Sequence, residues 1–391
     1  MMQQKLERKA PKLAQFLKEF EIQFKWLFIW VFLRILSNAS RRHAKPLNPR
    51  AIKSVLFLRH DKIGDMVVTL PTLRTLRHFR PDITIGVLAS PVNHQVIEHD
   101  TAVDHIHVYH KSIRNMGKMF REIRAVNYDM IVDLMTGTSV TSLVIAMLGS
   151  PRAYRAGICK ESFGKYYDNY TMNAMNLAKK LHITEMFLAM MEPLGIKLRD
   201  RVHDTKIALS RQQQQRGRQL EEQVRIPTAD GLIMLNVSAG KLDRTISQEK
   251  FCLLVEDLSR RYSNLQFMIS YAPNEIAAAR EAQARGGQNV TLLPEGVGIM
   301  DLVALIPHLD AIISVDTSVC HIAANLDVPL LAMYNGNEPN FVRWRPYGRK
   351  VWVVRSSDPK SVDGIESAQL QTAADEFIAE LSRRSILSRS S

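Results

Sequence analysis

The chain of 391 residues is poor in cysteine, with only Cys159, Cys252 and Cys320, and these lie far apart with no CxxC pair. That spacing argues against a disulfide framework, a zinc site or an oxidising compartment. No run of about 18 uncharged apolar residues occurs, so a conventional transmembrane helix is not expected. GxGxxG after the first predicted strand, GxxxxGK[ST], HExxH and GxSxG are all missing, which removes local support for dinucleotide, P-loop, zincin and serine-hydrolase readings. A basic body is missing too. The formal charge is +13, but residues 1–50 carry 11 Lys and Arg against three acids, a net of +8, which leaves +5 for the other 341 residues. Nucleic-acid binding wants a basic groove on the folded body, and it is not expected here.

Hydrophobic residues make up 46% and charged residues 23%, which is globular composition with enough apolar material for more than one core. Residues 1–50 read as a basic, aromatic, amphipathic arm. Trp26, Phe28, Trp30 and Phe32 between Lys25 and Arg34 suit the headgroup boundary of an anionic membrane, reached through residues 1–45. A helix packed on the body is the competing reading, and a cleaved signal peptide fails for want of a cleavage site.

From residue 51 the pattern alternates between short apolar runs and amphipathic stretches. Strands are expected at 54–59, 83–88, 106–109 and 130–134, and a helix near 182–194. The alternation restarts after a Gln-rich helix at 211–224, with strands at 232–237, 265–271, 290–293, 311–315 and 329–334. Helices are expected at 248–261, 274–285, 299–306, 317–326 and 368–384. This is the mark of two consecutive α/β units with parallel sheets, doubly wound and facing a cleft. We divide the chain into the arm 1–50, a first Rossmann-like domain 51–205, a second 206–360, and a C-terminal helix and tail 361–391.

Open α/β sheets bind ligands at the carboxyl ends of their strands, and three polar segments fall there. In Arg59-His60-Asp61-Lys62-Ile63-Gly64-Asp65, Gly64 allows a tight turn, and Asp65 is either a helix cap or a general base. Ser238-Ala239-Gly240-Lys241-Leu242-Asp243-Arg244 is either a phosphate-wrapping loop or a solvated one. In Asp316-Thr317-Ser318-Val319-Cys320-His321, hydroxyls and amides stand at a helix start, a ready anion site. His321, one turn on, is either structural or a ligand group, and Asp316 either caps or orients the turn.

Together these segments resemble glycosyltransferase family 9, the heptosyltransferases of the lipopolysaccharide inner core, over roughly residues 52–350. The carriers are Gly64-Asp65 through Thr69-Leu70-Pro71-Thr72-Leu73, and Asp316, Thr317, His321, Ala323 and Ala324. Tyr128-Asp129 and Val328-Pro329 support them. The resemblance implies a GT-B fold of two Rossmann-like domains and metal-independent, inverting transfer from ADP-heptose, with no cofactor. It implies Asp65 as catalytic base, with Lys62 and Gly64 in the acceptor loop. Ser238, Lys241, Arg244, Asp316, Thr317, Ser318, Val319 and His321 would hold the donor diphosphate, and Glu275 the ribose. The implied partners are a nucleotide sugar and an anionic lipid-linked saccharide, met on the cytoplasmic face of the inner membrane. The chain departs from the family at Ser318, where Gly is usual, at Arg244-Thr245-Ile246-Ser247 and at Tyr334-Asn335-Gly336-Asn337, all on the donor side. Arg74, Arg77, Arg152 and Arg155 read as solvated charge, with contact to an acidic acceptor as the alternative. Rival readings are a tethered non-catalytic nucleotide-binding protein, a family 9 enzyme using another nucleotide sugar, and a Rossmann-type oxidoreductase.

Overall fold

A computed structural model describes Arg34 and residues 47–110, 112–137, 139–203, 205–238, 240–384 and 386–387. The predicted membrane-surface arm lies outside the described residues, Arg34 and Leu47–Arg50 apart. Among the described residues no helix is long and apolar enough to cross a membrane.

Two six-stranded sheets form the frame. The first holds β1 Ser54–Arg59, β2 Thr84–Ala89, β3 His105–Val108, β4 Met130–Asp133, β5 Tyr154–Gly157 and β6 Asn169–Tyr170, in the order β3-β2-β1-β4-β5-β6. The second holds β7 Gly231–Asn236, β8 Leu265–Ser270, β9 Val290–Leu292, β10 Ala311–Val315, β11 Leu330–Tyr334 and β12 Val351–Arg355, in the order β12-β11-β10-β7-β8-β9. Every pairing is parallel. Counted within each domain, both orders are three-two-one-four-five-six, the doubly wound arrangement with its crevice where the strand order reverses, at β1/β4 and β7/β10. β1, β7, β8, β10 and β11 are buried along their whole length, because helices cover both faces.

The GD-to-TLP spacing has a local cause. Helix Ile63–Val67 stops before Pro71, which supplies no N–H for the next bond and opens the helix Leu70–Phe79. Thr69 Oγ1 donates back to the Asp65 carbonyl at 2.8 Å, so the two short helices meet at a fixed angle. Tyr128 lies across β2, where a Cβ on Gly86 would sit 2.0 Å from its hydroxyl; only glycine leaves room there. Asp129 ties β4 to the start of β1 by accepting from Lys53 N, Ser54 N and Ser54 Oγ at 2.8, 3.0 and 3.1 Å. Both family-supporting residues at 128–129 are therefore structural.

The domains are packed together. The largest apolar cluster includes Val55 and Met66 of the first domain and Val319 and Ile322 of the second. His182 Nε2 lies 2.8 Å from the Arg345 carbonyl, and Arg201 stacks on the Tyr347 ring at 3.9 Å. The crossing segment is held by Asn325, which accepts from Ile207 N and donates to the Thr205 carbonyl, both at 2.8 Å. In the second domain, helix Ser367–Arg383 buries Leu370, Phe377 and Leu381 in the same cluster as Ile233 and Phe267 of the sheet.

Candidate active site

The chain after β1 turns at Lys62, which holds the N-cap position, and Gly64 and Asp65 fall in the first turn of helix Ile63–Val67. This overturns the capping reading of Asp65. Its carboxylate is held by an arginine instead: Arg59 Nη2 reaches Asp65 Oδ1 at 2.7 Å, while Nε donates to the Asp65 carbonyl at 3.0 Å. Nη1 donates to the Leu134 carbonyl at 2.6 Å, and the guanidinium lies over the Phe187 ring at 4.7 Å. Arg59 is fully buried, whereas the Asp65 side chain keeps 17% of its surface exposed. One carboxylate oxygen is thus fixed by a charge-assisted bond and the group still faces the cleft.

Gly64 explains how the two domains meet. A Cβ there would fall 3.0 Å from His321 Cδ2 and 3.3 Å from Ser318 Cα. The turn carrying Asp65 therefore sits directly on the start of helix Ser318–Asn325 from the other domain. His321 is pushed down to about 4 by burial; Asp65 opposes that shift and Arg244 adds to it. The imidazole is neutral at pH 7, and its Nδ1 has no hydrogen-bond partner among the described residues.

In the second domain, Thr317 is the N-cap, its Oγ1 accepting from Val319 N at 3.3 Å and from Asn236 Nδ2 at the same distance. Asn236 also donates to Ser314 Oγ at 2.9 Å, which locks β7 to β10 under the turn. Ser318 and Val319 open the helix, where the macrodipole favours an anion. Arg244, on the short turn Leu242–Arg244, pairs with buried Asp316 at 3.2 Å. Burial pushes the Asp316 carboxyl up, and Arg244 pulls it back. Lys241 is exposed beside them. Glu275 stands after β8, its carboxylate accepting from Ser238 Oγ, which in turn accepts from Ala272 N at 2.8 Å.

The structure thus gathers Asp65, Gly64, Ser318 and His321 at one contact, with Thr317, Val319, Asp316 and Arg244 alongside. Ser238, after β7, and Glu275, after the neighbouring β8, form a separate pair, and Lys62 is exposed at the rim. Sequence reasoning missed a buried group at the end of β4 and beyond β5. There Asp133 Oδ2 meets Lys160 Nζ at 2.9 Å and accepts from the Tyr167 hydroxyl at 2.5 Å. An acid closing an apolar strand (Met-Ile-Val-Asp) was the signal for it. The reading of the arginines as solvated charge also needs correction. Arg74 pairs with Asp100 at 3.0 Å, Arg77 donates to the Ala102 and Ile83 carbonyls, and Arg155 is buried, whereas Arg152 is exposed.

The family model of glycosyltransferase family 9 (heptosyltransferase) matches residues 116–371. The chain belongs to that family. It is 25% identical over 305 residues to lipopolysaccharide heptosyltransferase 3 of Escherichia coli K12, covering 74% of this chain and 83% of the relative. Among solved structures it is similar to a family 9 glycosyltransferase from Veillonella parvula, with a TM-score of 0.71 at 17% identity over 86% of this chain and 99% of that one. It is also similar to E. coli heptosyltransferase WaaC with ADP-2-deoxy-2-fluoro heptose, with a TM-score of 0.62 at 18% identity over 83% of this chain and 99% of that one. The protein is a glycosyltransferase of heptosyltransferase type on a two-domain, Rossmann-like GT-B frame. The matched range includes the helix Ser318–Asn325 and Arg244 but begins after Asp65, so the turn bearing Asp65 stands on its own geometry.

Proposed function

We propose that this glycosyltransferase moves a heptose from ADP-L-glycero-β-D-manno-heptose to a sugar of the lipopolysaccharide inner core, with inversion. The observation that carries the reading is the Gly64 contact, which brings an arginine-held carboxylate against the amino end of a helix from the opposite domain. A base and an anion site facing each other across a domain boundary suit displacement of a diphosphate by a hydroxyl.

In this mechanism the acceptor hydroxyl gives its proton to Asp65 as its oxygen attacks the anomeric carbon. The bond from that carbon to the diphosphate oxygen breaks, and ADP leaves from the opposite face. A positioned base contributes about 10²–10⁴ in rate. Arg244, Lys241 and the amides at Ser318–Val319 stabilise the charge that gathers on the diphosphate, in a low-dielectric cleft where such groups act strongly. Glu275 holds the ribose hydroxyls, with Ser238 fixing its carboxylate. The donor choice is supported by the family and by the ADP-heptose analogue carried by the similar E. coli enzyme, and the acceptor by the lipopolysaccharide heptosyltransferase relative.

The acceptor is an anionic, lipid-linked saccharide on the cytoplasmic face of the inner membrane, and residues 1–45 hold the enzyme at that surface. Partition onto anionic vesicles by the full chain and by a form lacking residues 1–45 tests this; equal partition of both forms removes the arm from the proposal.

The direct test measures transfer from ADP-heptose to a lipopolysaccharide core acceptor by the full chain and by Asp65→Asn, with ADP binding measured in parallel. We expect turnover to collapse while ADP affinity stays. Full turnover in Asp65→Asn refutes the base, and no turnover by the unaltered chain redirects the donor to another nucleotide sugar.

A further inference from the structure

The turn after β1 carries a second carboxylate that the mechanism above does not use. Asp61 lies four residues before Asp65, and both reach the same guanidinium: Arg59 Nη1 stands 3.3 Å from Asp61 Oδ2, and Nη2 stands 2.7 Å from Asp65 Oδ1. Arg59 is fully buried, so its one positive charge is divided between two carboxylates without water in between.

The backbone around Asp61 is pinned. Ser90 Oγ donates to the Asp61 carbonyl at 2.9 Å, and Asn93 Nδ2 donates to the Arg59 and Lys62 carbonyls at 2.9 and 3.3 Å. Backbone amides at Asp61 and Lys62 also act on its carboxylate, and among the described residues Arg59 is the one side chain paired with it. Placing a second carboxylate on a buried cation that already serves Asp65 costs stability, since one charge cannot fully balance two. The cost falls beside the base, where functional sites concentrate such groups.

We propose that Asp61 is a positioning residue for Asp65: by drawing on the same guanidinium it limits how fully Arg59 neutralises the base, and so keeps Asp65 able to take the acceptor's proton. Two carboxylates on one cation repel each other. When Asp65 accepts the proton, that repulsion disappears and Arg59 passes wholly to Asp61. The pair thereby favours the protonated product of the transfer step.

Charged and titratable groups reach this pair from several elements. Arg59 lies on β1 and Asp65 on the following helix, while His321 faces Asp65 from the opposite domain. Beside them His60 is pushed down to about 4, chiefly by burial, with Asp133, Arg59 and Lys160 acting on it. Both histidines are neutral from pH 5 upward. Burial pushes Asp61 up to about 6, with Arg59 opposing and Asp65 adding, so its charge changes within the working range.

The proposal rests on Asp65 being the base. Its test is the pH profile of kcat/KM from pH 5 to 8 for the full chain, Asp61→Asn, Asp61→Glu and Asp65→Asn. Thermal unfolding and ADP binding are measured for each variant. We expect the unaltered enzyme to lose activity as pH falls through about 6. Asp61→Asn should lack that step and run about tenfold slower at pH 8, with ADP affinity unchanged, and Asp61→Glu should recover most of the rate. Should the amide disturb folding, Asp61→Ser takes its place. A superposable profile for folded Asp61→Asn, beside an inactive Asp65→Asn, overturns this proposal alone. An active Asp65→Asn overturns the base assignment and this proposal with it.

Discussion

Replacing Arg59 should cost both stability and turnover, because one buried guanidinium serves two carboxylates and two carbonyls. In Arg59→Met the Asp65 and Leu134 carbonyls lose donors at 3.0 and 2.6 Å, and Asp61 and Asp65 lose their counter-ion. Removing one partner from a buried ion pair typically costs about 3–5 kcal/mol. Arg59→Lys keeps the charge but not the fork. It gives up at least one charged hydrogen bond, worth about 1.5–3 kcal/mol. The deficit of Arg59→Met should deepen as pH rises above about 6, because Asp61 ionises there only with Arg59 beside it and resists ionising once that counter-ion is gone. Turnover should fall by about 10²-fold even in the folded fraction, the usual consequence of a catalytic group displaced by about 1 Å. Urea unfolding at pH 5 and 8, with single-turnover transfer under saturating donor, measures both effects. An Arg59→Lys enzyme as stable and as fast as the unaltered chain would refute the reasoning.

Three further outcomes follow from the same geometry. Gly64→Ala places a methyl 3.0 Å from His321 and 3.3 Å from the Ser318 backbone, so the domains must part by a few tenths of an ångström. Transfer should then fall well before thermal stability does, as parallel kinetic and melting curves would reveal. Arg244→Gln removes the 3.2 Å ion pair to Asp316, and ADP affinity by calorimetry should weaken with a reduced salt dependence; an unchanged affinity would take Arg244 out of the donor site. Asp61 is raised from 3.8 to about 6, so its protonated form favours the fold below 3.8 and that stability is lost as pH rises through about 6. The loss amounts to at most about 3 kcal/mol, and denaturant midpoints of Asp61→Asn should show less of it than those of the unaltered chain.

Strands with uninterrupted apolar runs were legible in the sequence: 54–59 and 311–315 match β1 and β10 residue for residue, and the helices at 211–224 and 248–261 match their patterns as closely. Tyr154–Gly157, Asn169–Tyr170 and Val351–Arg355 were not picked out. The first two are short and present no sustained apolar run, whereas β12 does carry one, Val351 to Val354, on a half-exposed edge strand. Asp65 was found by its place after a strand, but its arginine clamp was not resolved, because position in sequence does not tell whether Arg59 points into the core or out to water. The capping alternative fails for a local reason. Lys62, a poor capping residue, begins that helix, because the turn is held by Asn93 and Arg59 rather than by a side-chain cap. The Gly64 contact joins residues more than 250 positions apart, and no local pattern announces it.

Asn325 gives the donor helix a role as a lever. Its far end is bonded to Thr205 and Ile207 in the segment joining the domains, and its near end, Ser318, touches the turn that bears Asp65. Eight residues of helix span about 12 Å. A rotation of about 10° at the joining segment would swing Ser318 by roughly 2 Å, enough to open a hydrogen-bond-sized gap beside Asp65. Cleft opening and the bonds at Thr205 and Ile207 are then one mechanical event, and amide exchange at Ile207 would report on the cycle from a point remote from either substrate.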